Sequence, residues 1–183
     1  MSSPRIEPVI RLIALLASLF SAPAWAACPP LLDYRFTSLQ GEQINLCDYA
    51  DKPILVVNTA SKCGYTPQFE KLENLYRDNK AKGLRVVGFP SNDFNQELAT
   101  DKAIAKFCTL TYAVEFPMVS KGSVKGSAAN PFYKALAKAT GEEPRWNFHK
   151  YLILPGARQV FSFATQTEPD APEILGRIKP YLK

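Results

Sequence analysis

The feature that most constrains this chain is a pair of apolar, valine-rich runs flanking one helical segment. Residues 53–58 are uninterrupted by charge, which suits a strand buried on both faces of a sheet. A helix follows. Thr66-Pro67 supplies a cap residue and then proline at the first turn, Phe69, Leu72, Leu75 and Tyr76 repeat at helical spacing, and Gly83 ends the run. Residues 84–89 read as a second buried strand. Strand, helix and strand in such short succession make a βαβ unit, with parallel strands and a right-handed crossover. Cys63 therefore lies in the turn that leaves the carboxyl end of the first strand.

The remaining elements attach to this unit. Residues 33–47 read as a hairpin, a lid or an edge, with Tyr34 and Phe36 before the Gln40-Gly41 turn and Ile44 and Leu46 after it. Beyond the βαβ unit come a loop over 90–100, a short helix over 104–110, a strand over 116–120 and a helix over 131–139. Residues 151–154 and 159–163, separated by Pro155-Gly156, read as an antiparallel hairpin. A final helix covers 172–182, weakened by Gly176 and Pro180. The expectation is an α/β domain, a mixed sheet with helices on both faces and an N-terminal β-hairpin.

The first 26 residues read as an export signal and stand apart from the fold. Arg5 and Arg11 precede an apolar run over 12–20, and Ala24-Trp25-Ala26 supplies a cleavage site, so cleavage is expected after Ala26. The run is too short for a membrane anchor, and lipid attachment at Cys28 is disfavoured because Trp25 stands where such signals usually place Leu. Residues 27–183 then form one domain in the periplasm or outside the cell. The formal charge of +5 is mild and scattered, with no basic stripe interleaved with aromatics, which argues against nucleic-acid binding.

Cys28, Cys47, Cys63 and Cys108 make an even set with three possible pairings in an oxidising compartment. No two cysteines have zinc-site spacing and His149 is the single histidine, so neither a metal nor another cofactor is expected. Cys63 differs from an inert core cysteine in its place. Between a strand end and a helix start, free backbone N–H groups and the helix dipole favour a negative charge, and Lys62 adds a positive one. A thiolate is the form that attacks.

Residues 58–68, Asn-Thr-Ala-Ser-Lys-Cys-Gly-Tyr-Thr-Pro-Gln, closely resemble the active-site segment of the glutathione peroxidase family. Gly88-Phe89-Pro90-Ser91-Asn92-Asp93-Phe94 resembles that family's second signature, and Trp146-Asn147-Phe148 its third, in the same order and at similar separations. The resemblance runs from about Tyr34 to the carboxyl end. It implies a thioredoxin-like fold, reduction of hydrogen peroxide and organic or lipid hydroperoxides, Cys63 as the peroxidatic residue, and Gln96, Trp146 and Asn147 as its partners. Amide NH2 groups and an indole N–H can hold a thiolate and a departing alkoxide without giving up a proton. One departure stands out: only Asn95 separates Phe94 from Gln96, where the family usually has two residues.

Cys108 matches the resolving cysteine of members that resemble thioredoxin-dependent peroxidases. It would condense with a Cys63 sulfenic acid to a disulfide, which a thioredoxin-like protein or glutathione would reduce. The bland alternative is the buried face of a short helix. Cys28 and Cys47 are left to form a structural disulfide, provided Pro29-Pro30 turns Cys28 back. His149 is read as a strand residue with no catalytic part. The family's tetrameric members carry an insertion before the third motif that is absent between Ala139 and Trp146, which points to a monomer. Two rivals remain at this point: a thiol–disulfide oxidoreductase, which would need Cys-x-x-Cys where Thr66 stands, and a non-enzymatic redox sensor passing a Cys63–Cys108 disulfide to a partner.

Overall fold

A computed structural model describes residues 28–183; the expected export signal and its cleavage site lie outside these residues. The central sheet contains β3 (Ile54–Thr59), β4 (Arg85–Pro90), β5 (Lys150–Ile153) and β6 (Val160–Phe163) in the order β4-β3-β5-β6. β3 and β4 are parallel, as the βαβ unit requires, and β5 pairs antiparallel with both β3 and β6. A separate antiparallel hairpin is formed by β1 (Arg35–Thr37) and β2 (Gln43–Asn45).

Every residue of β3 is buried, because both faces are covered. Leu55 and Val57 face a core with Phe69, Leu72 and Leu75 of α1 (Gln68–Asn79), Ile104 and Cys108 of α2 (Asp101–Tyr112), and Ile174 and Ile178 of α4 (Pro172–Ile178). Ile54 and Val56 face a second core with Phe132, Tyr133 and Leu136 of α3 (Pro131–Thr140) and with Ile44 of the hairpin. The hairpin is thus an edge of the domain that seals the α3 side.

Three expectations are corrected. Residues 116–120 do not form a full strand. Pro117 has no N–H to donate, and the segment makes only isolated bridges, Met118 to Gly88 and Val119 to Ser38. Through them it ties β4 to the hairpin. Gly88 makes room for this approach, since a Cβ at that position would meet the Met118 sulfur and force that side chain to move. The final helix stops at Ile178 and tightens into a 3-10 turn, Lys179–Tyr181, where Pro180 cannot extend α-helical bonding. Thr66 does not cap α1; its hydroxyl is taken up by the Cys63 turn.

Cys28 and Cys47 form a disulfide with Cα atoms 5.5 Å apart. A 3-10 turn, Pro30–Leu32, closed by Leu32 N–H to the Pro29 carbonyl at 2.7 Å, swings Cys28 back beside the end of β2. The turn required of Pro29-Pro30 is therefore present.

Candidate active site

Cys63 sits in the turn between β3 and α1, 8 % exposed. Its backbone N–H donates to Thr66 Oγ1 at 3.0 Å, and that hydroxyl donates to the Ala60 carbonyl at 2.9 Å. The Thr66 N–H returns to the Cys63 carbonyl at 3.0 Å. These bonds lock the turn and leave Sγ facing a backbone donor, the Tyr65 N–H, at 3.4 Å. The donor comes from the turn itself, because α1 begins only at Gln68.

Two other segments are stitched to this turn. The Lys62 N–H donates to the Gln96 carbonyl at 2.9 Å, so Gln96 lies against the residue preceding the sulfur. Asn147 Nδ2 donates to Gln96 Oε1 at 2.8 Å. The shortened stretch between Phe94 and Gln96 closes as a turn: Asn95 N–H reaches the Asn92 carbonyl at 2.9 Å, and Asn95 takes φ +57°. Asparagine tolerates this left-handed conformation better than most residues. The missing residue therefore leaves Gln96 within reach of the site.

Trp146 is 40 % exposed and packs on Phe94, ring centroids 5.3 Å apart. Its carbonyl accepts from Asn58 Nδ2 at 3.1 Å, while the Asn58 carbonyl accepts from Phe148 N–H at 2.6 Å. Asn58, fully buried at the end of β3, thus clamps the third motif to the strand that leads into Cys63. Phe148 takes φ +61°, an unusual conformation for a bulky residue and one held in place by these neighbours. Hydrogen bonds thus link the Cys63 turn to Gln96 and Gln96 to Asn147, while Trp146 is attached through Phe94 and Asn58.

Cys108 is buried in the same apolar cluster as Cys63, on the inner face of α2. Burial, reinforced by the charge of Glu97, pushes its thiol up to about 12. In this closed state it is an unreactive neutral thiol. His149 precedes β5 rather than lying in it; its Nε2 is 2.9 Å from Ser162 Oγ, and burial pulls its pKa down to about 4, keeping it neutral.

Sequence reading missed Glu97. Its Oε1 accepts from the Ser61 N–H at 3.1 Å and the Leu98 N–H at 2.7 Å, fastening the Cys63 turn from the other side. Burial pushes this carboxyl up. The available signal was its place directly after Gln96, which by itself could not show that it points inward.

The sequence model of the family described as "Glutathione peroxidase" matches residues 31–137. The chain is 43% identical over 146 residues to "Glutathione peroxidase" of Lactococcus lactis, covering 77% of this chain and 93% of that protein. It is 38% identical over 145 residues to "Glutathione peroxidase-like peroxiredoxin 2" of Saccharomyces cerevisiae, covering 76% and 90%. Among solved structures, T. cruzi GPX1 superposes with a TM-score of 0.62 at 26% identity, over 82% of this chain and 95% of that one.

Proposed function

As the chain belongs to the glutathione peroxidase family and is a thiol peroxidase, we propose that Cys63 attacks the peroxide and Cys108 resolves the product. The Cys63 thiolate adds to one oxygen of ROOH. The O–O bond breaks, its electron pair leaves on RO⁻, and a proton completes ROH. Sulfur is oxidised to a sulfenic acid while the peroxide is reduced. Gln96, Asn147 and the Trp146 indole supply N–H donors for the thiolate and the departing oxygen.

The observation that carries this reading is the stitching of the Cys63 turn to Gln96, and of Gln96 to Asn147. It ties Gln96 and Asn147 to the turn that carries the sulfur before substrate arrives, and preorganisation of this kind is where catalytic hydrogen bonding is most effective. Exposed Lys62, Gly64 and Trp146 leave the site open. An open mouth suits alkyl and lipid hydroperoxides as well as hydrogen peroxide.

Cys108 would then attack the sulfenic sulfur, expelling water and forming the Cys63–Cys108 disulfide. To do so α2 must open locally. Only Ile104 and Cys108 of α2 are fully buried and Leu110 is largely exposed, which favours low-cost opening. A thioredoxin-like dithiol would reduce the disulfide by exchange, with glutathione as the alternative reductant. The leader and the Cys28–Cys47 disulfide together favour an exported protein in an oxidising compartment. The short connection from α3 to β5 favours a monomer.

The test is hydrogen peroxide consumption with a thioredoxin system, comparing the parent chain with Cys63→Ser and Cys108→Ser. Both variants should lose turnover, and the parent alone should form an intramolecular disulfide after one equivalent of peroxide. Sustained turnover by Cys108→Ser would remove the resolving role and favour glutathione. Fractionation and sizing of the expressed protein test export and the monomer.

A further inference from the structure

Lys150 of β5 is fully buried and forms no ion pair among the described residues. Lysine is almost never so placed without a partner. Its Nζ instead donates to three carbonyls: Phe148 at 2.7 Å, Thr165 at 3.3 Å and Thr167 at 2.6 Å. All three ammonium hydrogens are used, which is the condition for tolerating a desolvated cation.

Two of the three acceptors, Phe148 and Thr165, belong to the frame of the site. Phe148 is the left-handed residue directly after Trp146-Asn147. Thr165 donates its hydroxyl to the Asn147 carbonyl at 2.8 Å, and its own carbonyl also accepts from Gln68 Nε2, at the start of α1, at 2.8 Å. One ammonium therefore ties the third motif to the segment after β6, and through it to the helix that follows the Cys63 turn.

We propose that Lys150 is a positioning residue for the peroxidase, its ammonium holding the turn at Phe148 and so setting the orientation of Trp146 and Asn147 at Cys63. The inference rests on the reading that Trp146 and Asn147 serve Cys63. A positioning group acts through geometry, and small displacements of a catalytic donor are costly in rate.

The arrangement is sensitive to pH. Burial lowers the Lys150 ammonium to about 7, partly opposed by the Glu168 carboxylate, which itself lies 3.6 Å from Lys71 of α1. The facing residues on β3 and β6 are Val57 and Phe163, and Gln68 faces from α1; none carries charge. The adjacent His149 stays neutral. Above the transition the amine has two hydrogens for three carbonyls, so the turn at Phe148 loosens as pH rises.

Two measurements test this. First, the second-order rate of Cys63 oxidation by hydrogen peroxide is measured from pH 5.5 to 9 in a Cys108→Ser background, with dimedone trapping, for the parent, Lys150→Met and Asn147→Ala. Lys150→Met should be slower by about tenfold or more at the acidic end. The gap should narrow as pH rises. A gap independent of pH, or none, overturns the proposal. If Asn147→Ala is also unimpaired, the failure belongs to the underlying site assignment instead. Second, and needing no variant to fold, the Trp146 indole N–H and Asn147 amide NMR signals of the parent should shift with the midpoint of the Lys150 Nζ titration. Signals that stay still through that titration overturn it as well.

Discussion

Asn147 and Gln96, 51 residues apart in the chain, share a 2.8 Å hydrogen bond from Asn147 Nδ2 to Gln96 Oε1. The bond makes the two amides one unit, each fixing the orientation of the other. Gln96→Ala and Asn147→Ala should each lower kcat/KM for hydrogen peroxide by roughly 10- to 100-fold, on the scale of losing one transition-state donor. The double variant should fall well short of the product of the single losses, since residues in direct contact are not additive. Stopped-flow rates for the four proteins give the coupling, and full multiplicativity would mean the two amides act separately.

Cys108 should be shielded in the reduced protein. Its thiol is pushed up to about 12 and it is 2 % exposed, so alkylation must wait for α2 to open. Iodoacetamide followed by peptide mass analysis should label Cys63 well before Cys108. Urea below the unfolding midpoint should speed Cys108 labelling selectively. Equal labelling of both cysteines in native buffer would contradict the closed state described above.

The Cys28–Cys47 disulfide spans 19 residues. A loop of that length contributes about 3 kcal/mol through the unfolded chain. Replacing both cysteines with serine should lower the urea midpoint accordingly. Peroxidase rates at temperatures where both forms are folded should stay within a factor of two of the parent, because the bridge joins the N-terminal turn to the hairpin. A large loss of rate in the folded variant would mean the hairpin reaches the site.

Glu73 of α1 is buried, and its Oε2 accepts from the Glu115 N–H at 2.8 Å and the Phe116 N–H at 3.4 Å. Burial raises its pKa above 4.5, outweighing these two bonds. A carboxyl raised in the folded state binds its proton more readily there than in the unfolded chain. Stability from this group is present below the unfolded value and lost as pH rises through the folded one. Glu73→Gln keeps an oxygen acceptor without a charge to desolvate, so it should equal or exceed the parent in stability at pH 7. The difference should vanish near pH 4. Urea titrations at the two pH values check this, and a variant less stable at pH 7 than at pH 4, relative to the parent, would reverse the sign.

The elements that sequence determined are those whose cause is local. The apolar run of β3 requires cover on both faces, the helical spacing of Phe69, Leu72 and Leu75 supplies part of that cover, and a βαβ unit follows from their order. The motifs around Cys63, Phe94 and Trp146 were legible in the same way, as contiguous strings. Tertiary structure decided what each polar group bonds. Asn58 finds its acceptor 88 residues away and the Ser61 N–H finds Glu97 36 residues away, and no local preference encodes either choice. Residues 116–120 looked like a strand until Pro117 and the Met118–Gly88 approach limited them to bridges. Thr66 looked like a cap until the Cys63 turn claimed its hydroxyl. Lys150 reads as an ordinary charged residue, yet chain topology surrounds it with carbonyls. Burial and backbone propensity act over a few residues and can be read along the chain, whereas a hydrogen bond's partner is set by which segments the completed sheet brings together.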